Sequence, residues 1–265
     1  MINEHSINAP DIESSTPLYS LRFYGKIGDW LLSKQKRATK NAIQSQFGEK
    51  RGLSVLDVGG GHGQNIELMV DLGHRLTIAG SPTSSTAVIK KNIDKQIITY
   101  IETSLLELPF TDKSFDVVIC YRMLTHMQSW DVLCEELQRV SNGLVLVDYP
   151  TKKSVNVFSN LMFGLKKHIE KSTRRYRLFS DNEILLQFNK SGWKRSFIRR
   201  QFFFPMALHR LMNLRFFSIS IETVARLFGL TLLFGSPVIS GFVSPDYIDF
   251  ILQTEASSSK YKDIN

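Results

Sequence analysis

Leu56-Asp57-Val58-Gly59-Gly60-Gly61-His62-Gly63 is the stretch that decides how this chain is read. A short apolar strand, Ser54 to Val58, runs into glycines, and a helix over Asn65 to Leu72 is expected to follow and to stop at Gly73. Glycines at such a junction permit backbone angles that other residues resist, and they let the main chain approach a ligand closely. The next helix presents free N–H groups at its start. In an open parallel sheet a nucleotide is expected there, at the carboxyl end of the first strand. The spacing discriminates among nucleotides. A Gly-x-Gly-x-x-Gly fingerprint begun at Gly59 meets Gln64 at its third glycine, and one begun at Gly61 meets Ile66. A P-loop needs Gly-Lys-Ser/Thr after its glycines, and that is absent.

Outward from the loop, strands and helices alternate. Strands are expected at Arg75–Ala79, Ile97–Glu102, Phe115–Cys120 and Gly143–Asp148. Helices are expected over Ser84 to about Asn92 and over Ser129–Val140, where Leu133, Leu137 and Val140 share a face. Upstream, Tyr19 to about Phe47 has helical spacing through Ile27, Trp30 and Leu31. This alternation with short connections predicts an α/β chain with a doubly wound, mostly parallel sheet. After Asp148 the pattern changes. Ser154 to about Lys171 reads as a basic helix, and Ser180-Asp181-Asn182-Glu183 as a capping box for a helix ending near Gly192. Trp193–Phe204 and Pro237–Val243 read as two further strands, with helices between Pro205 and about Phe234. The organisation expected is a polar tail over 1–18, one domain over 19–254 and a second tail over 255–265. Within the domain, 19–50 form N-terminal helices, 51–150 the nucleotide-binding core, and 151–254 a basic region with the final strands.

Composition bounds the function. The 265 residues carry a net charge of +8, unevenly spread. Thr151 to Phe217 holds 15 Lys and Arg against three acids, so this block is +12 and the rest is −4. Such a block, interleaved with Phe and Tyr, suits an anionic surface or substrate, or simply a solvated face. The apolar run from about Leu227 to Phe242 is broken by Gly229, Gly235, Ser236, Pro237 and Gly241, which argues against a membrane span. Two scattered cysteines, Cys120 and Cys134, suggest neither a disulfide framework nor a metal site, and fit a reducing cytoplasm.

The glycine stretch, with its Gly59-x-Gly61-x-Gly63 spacing after Asp57, resembles the first motif of class I S-adenosylmethionine-dependent methyltransferases. The likeness continues at Leu108-Pro109-Phe110-Thr111-Asp112-Lys113-Ser114-Phe115-Asp116-Val117-Val118, similar to the strand-4 entry of the small-molecule branch that includes quinone-biosynthesis methyltransferases. Leu124-Thr125-His126 and Glu135-Glu136-Leu137-Gln138-Arg139-Val140 follow at that branch's spacing. The resemblance implies a Rossmann-like seven-stranded sheet with an antiparallel last strand, N-terminal helices and an inserted helical lid. It also implies roles. Gly59, Gly61 and Gly63 would approach the methionine half of S-adenosylmethionine, and Asp57 would hold its amino group. Position 80 usually carries an acid for the ribose; here it is Gly80, followed by Ser81. Ser104 stands where many relatives place an Asp near the adenine, beside Leu105. Tyr121 and Arg122 would line the cofactor and acceptor sides.

His126, past the fourth strand, is the candidate general base, against a plain loop histidine as its rival. His62 is expected to face solvent, and Asp148 to be a solvated strand-end acid. Tyr24 is a candidate acceptor contact. The apolar bulk around Phe202–Phe217 suggests a greasy acceptor under a lid, with core packing as the rival reading. The expected activity is therefore methyl transfer to a small-molecule or lipid-like acceptor, with no metal and with peripheral membrane contact through 151–217. The competing reading is a methyltransferase-fold binding protein without catalysis. An NAD-linked oxidoreductase is opposed by the glycine spacing, and a nucleic-acid methyltransferase by the lack of an Asn/Asp-Pro-Pro-Tyr/Phe motif.

Overall fold

A computed structural model describes residues 8–154 and 176–248. One sheet contains β1 (Ser54–Val58), β2 (Arg75–Gly80), β3 (Thr99–Glu102), β4 (Phe115–Cys120), β5 (Ser141–Tyr149), β6 (Lys194–Phe202) and β7 (Ser236–Val243). Their order is β3-β2-β1-β4-β5-β7-β6. The first five pair in parallel, and β7 runs antiparallel to both β5 and β6. The expected doubly wound sheet with an antiparallel last strand is what the chain builds. The order reverses beside β1, which places the crevice at the carboxyl ends of β1 and β4.

Period-two alternation divides the strand residues between two cores. Leu56, Val58, Val118, Cys120, Val145 and Val147 face one side. Val55, Val117, Ile119, Leu144 and Leu146 face the other. The first side is covered by α6 (Trp130–Val140) and α7 (Asp181–Asn189). The second is covered by α3 (Gly25–Phe47), through Ala38, Ala42 and Ile43, and by α4 (Ile66–Asp71). Ser180 caps α7 as read from sequence, with Glu183 closing the box.

Three segments depart from expectation. Residues 8–18, expected as part of a polar tail, form α1 (Asp11–Ser14) and begin α2 (Pro17–Ser20). The single helix expected from Tyr19 is broken: a 3-10 turn at Leu21–Phe23 separates α2 from α3. The helix expected from Ser84 shrinks to α5 (Lys90–Asp94), because 84–89 are held in turns such as Ser84 N to Ser81 O and Ile89 N to Thr86 O. The insertion between β6 and β7 is helical as expected, forming α8 (Met206–Met212), α9 (Arg215–Leu227) and α10 (Leu230–Phe234), turned by left-handed Asn213 and Gly229. The helix expected over Ser154–Lys171 lies almost wholly outside the described residues, and the 255–265 tail lies wholly outside them.

Candidate active site

The site begins where β1 ends. Asp57 is buried, and Asn65 Nδ2 donates to its Oδ2 at 2.9 Å. Burial pushes the Asp57 carboxyl up to about 7, against the Asn65 hydrogen bond and the Arg122 charge. The following turn is bare: Gly59 and Gly63 take φ of +75° and +73°, and a Cβ on Gly60 would strike the Asp57 carboxyl. Asn65 Oδ1, buried beside this turn, makes no hydrogen bond, while the His62 ring has Gln64 as a side-chain neighbour. Buried polar atoms without partners are uncommon, and such a group marks a place where a ligand can supply the missing bonds.

Arg122 ties the neighbouring strands to this turn. It follows β4 with φ of +63°, and its backbone N–H donates to Asp148 Oδ1 at 2.5 Å. Its guanidinium lies 3.1 Å from His62 Nε2, donates to Gln35 Oε1 at 2.8 Å, and stands 4.0 Å over the Phe23 ring. Asp148 is buried at 4% exposure, correcting the expected solvated acid, and burial raises its carboxyl to about 6. His62 is likewise not turned to solvent; Tyr19 meets it edge-on and Phe23 at a tilt, each with ring centroids 6.0 Å away. Burial and the Arg122 charge drive its pKa down to about 3, so the imidazole is neutral at pH 7. With Nε2 facing an obligate donor, the proton is assigned to Nδ1.

At the end of β2 the chemistry is rearranged. A side chain at Gly80 would collide with the Tyr100 hydroxyl, which is bonded to Ser84 Oγ at 2.8 Å. An acid cannot stand there without moving that pair. A carboxylate arrives from elsewhere instead. Asp11, fully buried, accepts from Ser81 N and Ser81 Oγ at 2.6 Å each. Ser15, one turn on, packs on Gly61: a Cβ there would lie 2.7 Å from Ser15 Cβ. Met123 Sδ is 2.6 Å from the Cβ position of Gly59. The N-terminal segment and Met123 therefore hold the space above the loop.

The remaining candidates scatter. Ser104 is exposed and its Oγ accepts from Leu106 N at 3.3 Å, while Leu105 is buried in the core with Ala79 and Met123. Tyr121 is buried, and its hydroxyl lies 2.9 Å from Thr39 on α3; burial raises its pKa. His126 ends a 3-10 turn, Leu124–His126, with its ring 6.0 Å from Tyr176. Tyr24 is 67% exposed, so it does not close over the loop. The structure thus gathers Asp57, Gly59, Gly61, Gly63, Ser81 and Arg122, and sets Tyr24 and Ser104 at the surface. Sequence reasoning missed Asp11, Ser15, Asn65 and Gln35. Asn65, first residue of the expected helix and eight past Asp57, was within reach of a careful reading; Asp11 carried no pattern.

An open α/β sheet with a bare turn over a buried acid at its switch point defines a class of nucleotide-cofactor folds in which methyl transfer is one chemistry. Comparison narrows the class. Residues 56–147 match the family model described as a methyltransferase domain. An "uncharacterized methyltransferase" of Mycobacteroides abscessus is 33% identical over 105 residues, 37% of this chain and 40% of that protein. The match thus spans less than half of that relative. Among solved structures, magnesium protoporphyrin IX methyltransferase from Synechocystis with bound S-adenosylhomocysteine superposes with a TM-score of 0.57 at 14% identity, covering 90% of this chain and 96% of that one. A cyclase superposes with a TM-score of 0.55 at 16% identity over 79% of this chain and 80% of its own. Such distant likenesses show the fold, and the cyclase shows that one fold hosts more than one named chemistry.

The Synechocystis enzyme is also solved with bound S-adenosylmethionine. The residues fit its chemistry in part. A buried acid awaiting a counter-charge, an unpartnered Asn65 carbonyl and a bare turn suit an ammonium and its carboxylate. The space does not fit as it stands, because Ser15 and Met123 lie on the glycines and Asp11 takes both Ser81 donors.

Proposed function

We propose that this chain transfers a methyl group from S-adenosylmethionine to a small-molecule or lipid-like acceptor. The observation that carries the reading is the junction after β1: a buried Asp57 beneath a side-chain-free turn, flanked by an Asn65 carbonyl lacking a partner. S-adenosylmethionine, when bound, supplies a methyl group already activated on its sulfonium. Asp57 holds the cofactor ammonium, and that neighbouring charge keeps the carboxyl ionised. The backbone of Gly59, Gly61 and Gly63 would border the methionine half, with His62 beside its carboxylate. Gly80 and Ser81 serve the ribose end, with Ser81 offering its N–H and hydroxyl once Asp11 releases them. Leu105 would border the adenine end, and Tyr121, hydrogen-bonded to Thr39 of α3, would back the cofactor. Arg122 would be the acceptor contact. His126 takes the proton when the acceptor is a hydroxyl or an acidic carbon. A cytoplasmic location belongs to the same proposal.

Calorimetric titration with S-adenosylhomocysteine tests the cofactor half of this reading. Methyl-labelled S-adenosylmethionine incubated with a total lipid extract tests the transfer half. Saturable binding with label in the organic phase is expected; no heat at millimolar S-adenosylhomocysteine defeats the proposal. The filled space above Gly59 and Gly61, and the absence of an acid at position 80, favour one second reading, a binding protein of this fold without catalysis. Binding without transfer to any acceptor pool selects it.

A further inference from the structure

The helices between β6 and β7 are packed with their chemistry reversed. α9 buries Ser218, Glu222 and Ala225. On its outer side Phe216 is 85% and Leu227 is 81% exposed. α10 buries only Thr231 and leaves Leu232 76% exposed. Phe228, in the turn between them, is 77% exposed. A helix in water normally turns its apolar stripe to the core. The inversion has a local cause: Glu222 accepts from the backbone N–H groups of Phe203 and Phe204 at 3.0 and 2.9 Å, and lies 3.1 Å from buried His209. Those amides leave the sheet at the end of β6 and need an acceptor, so the acid faces in and the phenylalanines face out. The result is a contiguous stretch of chain with large apolar side chains in water, more than isolated surface residues explain.

We infer that this ridge is a docking surface for an anionic lipid bilayer, lying in the plane of the headgroups. Charge chooses the occupant. Between Phe203 and Gly235 the chain has three arginines, Arg210, Arg215 and Arg226, and one acid, Glu222. Glu222 is 5% exposed, whereas Arg215 and Arg226 are at the surface, so the ridge presents cations without exposed acids. Against a second copy of this chain, a two-fold contact would set those arginines against one another. A bilayer of anionic lipids offers phosphates to the arginines and acyl chains to Phe216, Leu227 and Leu232 at one interface. No helix among the described residues is long and apolar enough to cross a membrane, which agrees with contact in the plane. Arg210 also stands 5.3 Å from the Phe23 ring, beside exposed Leu21 and Tyr24, so the ridge adjoins the segment that covers the glycine loop.

This inference does not depend on methyl transfer, and its test needs no cofactor. The full chain is sedimented with vesicles of phosphatidylcholine containing about 30% phosphatidylglycerol, and with vesicles of phosphatidylcholine alone. Expected are co-sedimentation with the anionic vesicles, at least tenfold weaker binding to the neutral ones, and weakening in high salt. Phe216→Glu with Leu227→Glu is expected to lower binding at least tenfold at an unchanged melting temperature. Arg215→Glu alone is expected to weaken it several-fold and to flatten the salt dependence. A chain that stays in the supernatant with both vesicles overturns the inference. So does vesicle binding that the double variant leaves intact, which would put the contact elsewhere. A dimer in sedimentation velocity that the double variant dissolves, without vesicle binding, assigns the ridge to a second copy instead.

Discussion

The glycine-loop half of the sheet and the helical insertion before β7 bury opposite kinds of side chain. Around β1, β4 and β5 the interior is mainly Val, Leu and Ile, and the buried acids Asp57 and Asp148 enter near the carboxyl ends of β1 and β5, where a ligand is expected. In the insertion the interior is Ser218, Glu222, Thr231 and His209, while phenylalanines and leucines stand in water. The first half is arranged by the hydrophobic effect, which follows the sequence pattern. The second is arranged by the need of two strand-end amides for an acceptor, a need that outweighs the pattern because a buried N–H without a partner costs about 1–3 kcal/mol. Burial in one region therefore reports folding, and exposure in the other reports a partner.

Leu146→Ala on β5 probes the folding side most strongly. Leu146 is fully buried, and its truncation is expected to cost about 3 kcal/mol, read as a shift in denaturant midpoint. Asp57→Asn separates folding from binding next. The expected loss of S-adenosylhomocysteine affinity is about tenfold to a hundredfold, measured by calorimetry. The same variant is expected to be more stable than the parent at pH 8. Burial raises the folded carboxyl from 3.8 to about 7, so its favourable contribution is complete below pH ~4 and is lost as pH rises through 7. That loss is on the order of 4 kcal/mol for a shift of this size, and Asn removes it. Asp148, raised to about 6, adds a second decline in the same direction ending nearer pH 6. Affinity for S-adenosylhomocysteine moves the other way: it is expected to tighten about tenfold between pH 6 and pH 8 as Asp57 ionises. A flat affinity profile across that range would detach Asp57 from the ligand.

The sheet was legible because five parallel strands, each apolar and short, alternate with helices, and because Asp57 and the glycines mark the switch point by spacing alone. The capping box at Ser180 was legible for the same reason: its partners lie three residues apart. What the sequence concealed depends on distance. Asp11 and Ser81 are 70 residues apart, and nothing in the polar stretch around Asp11 says that a buried donor pair awaits it. The reversed α9 was concealed by competition. Periodicity shows that Phe216, Val224 and Leu227 stand apart from Ser218 and Glu222, but which face turns inward is decided by Phe203 and Phe204 on another element.

Asp11→Ala sharpens the comparison at the boundary between the two halves. With both oxygens on Ser81 and Ser15 on Gly61, the N-terminal segment would compete, under the proposed function, with a cofactor for the same donors and the same space. A closed segment lowers apparent affinity by the fraction of molecules that are open. Removing the carboxylate is expected to tighten S-adenosylhomocysteine binding several-fold, to about tenfold, and to speed exchange of backbone amides over 8–24. Weaker binding in this variant would give Asp11 the opposite role, as the ribose carboxylate that position 80 lacks.

The smallest expected effect is the most telling about the insertion. Phe216→Ser removes the most exposed of the large apolar side chains on the ridge, at 85% exposure. If the residue stood there for packing, its loss would cost several kcal/mol, as phenylalanine truncations in cores do. At that exposure it is expected to change the stability of the free protein by less than about 0.5 kcal/mol in a denaturant titration. Ser218, two residues along and fully buried, supplies the internal control, since enlarging it to Leu is expected to cost about 1–3 kcal/mol by overpacking. A large loss from Phe216→Ser with a small one from Ser218→Leu would mean that α9 is turned the other way in solution. The glycine-loop half would stand unchanged, and the difference between the two regions would vanish.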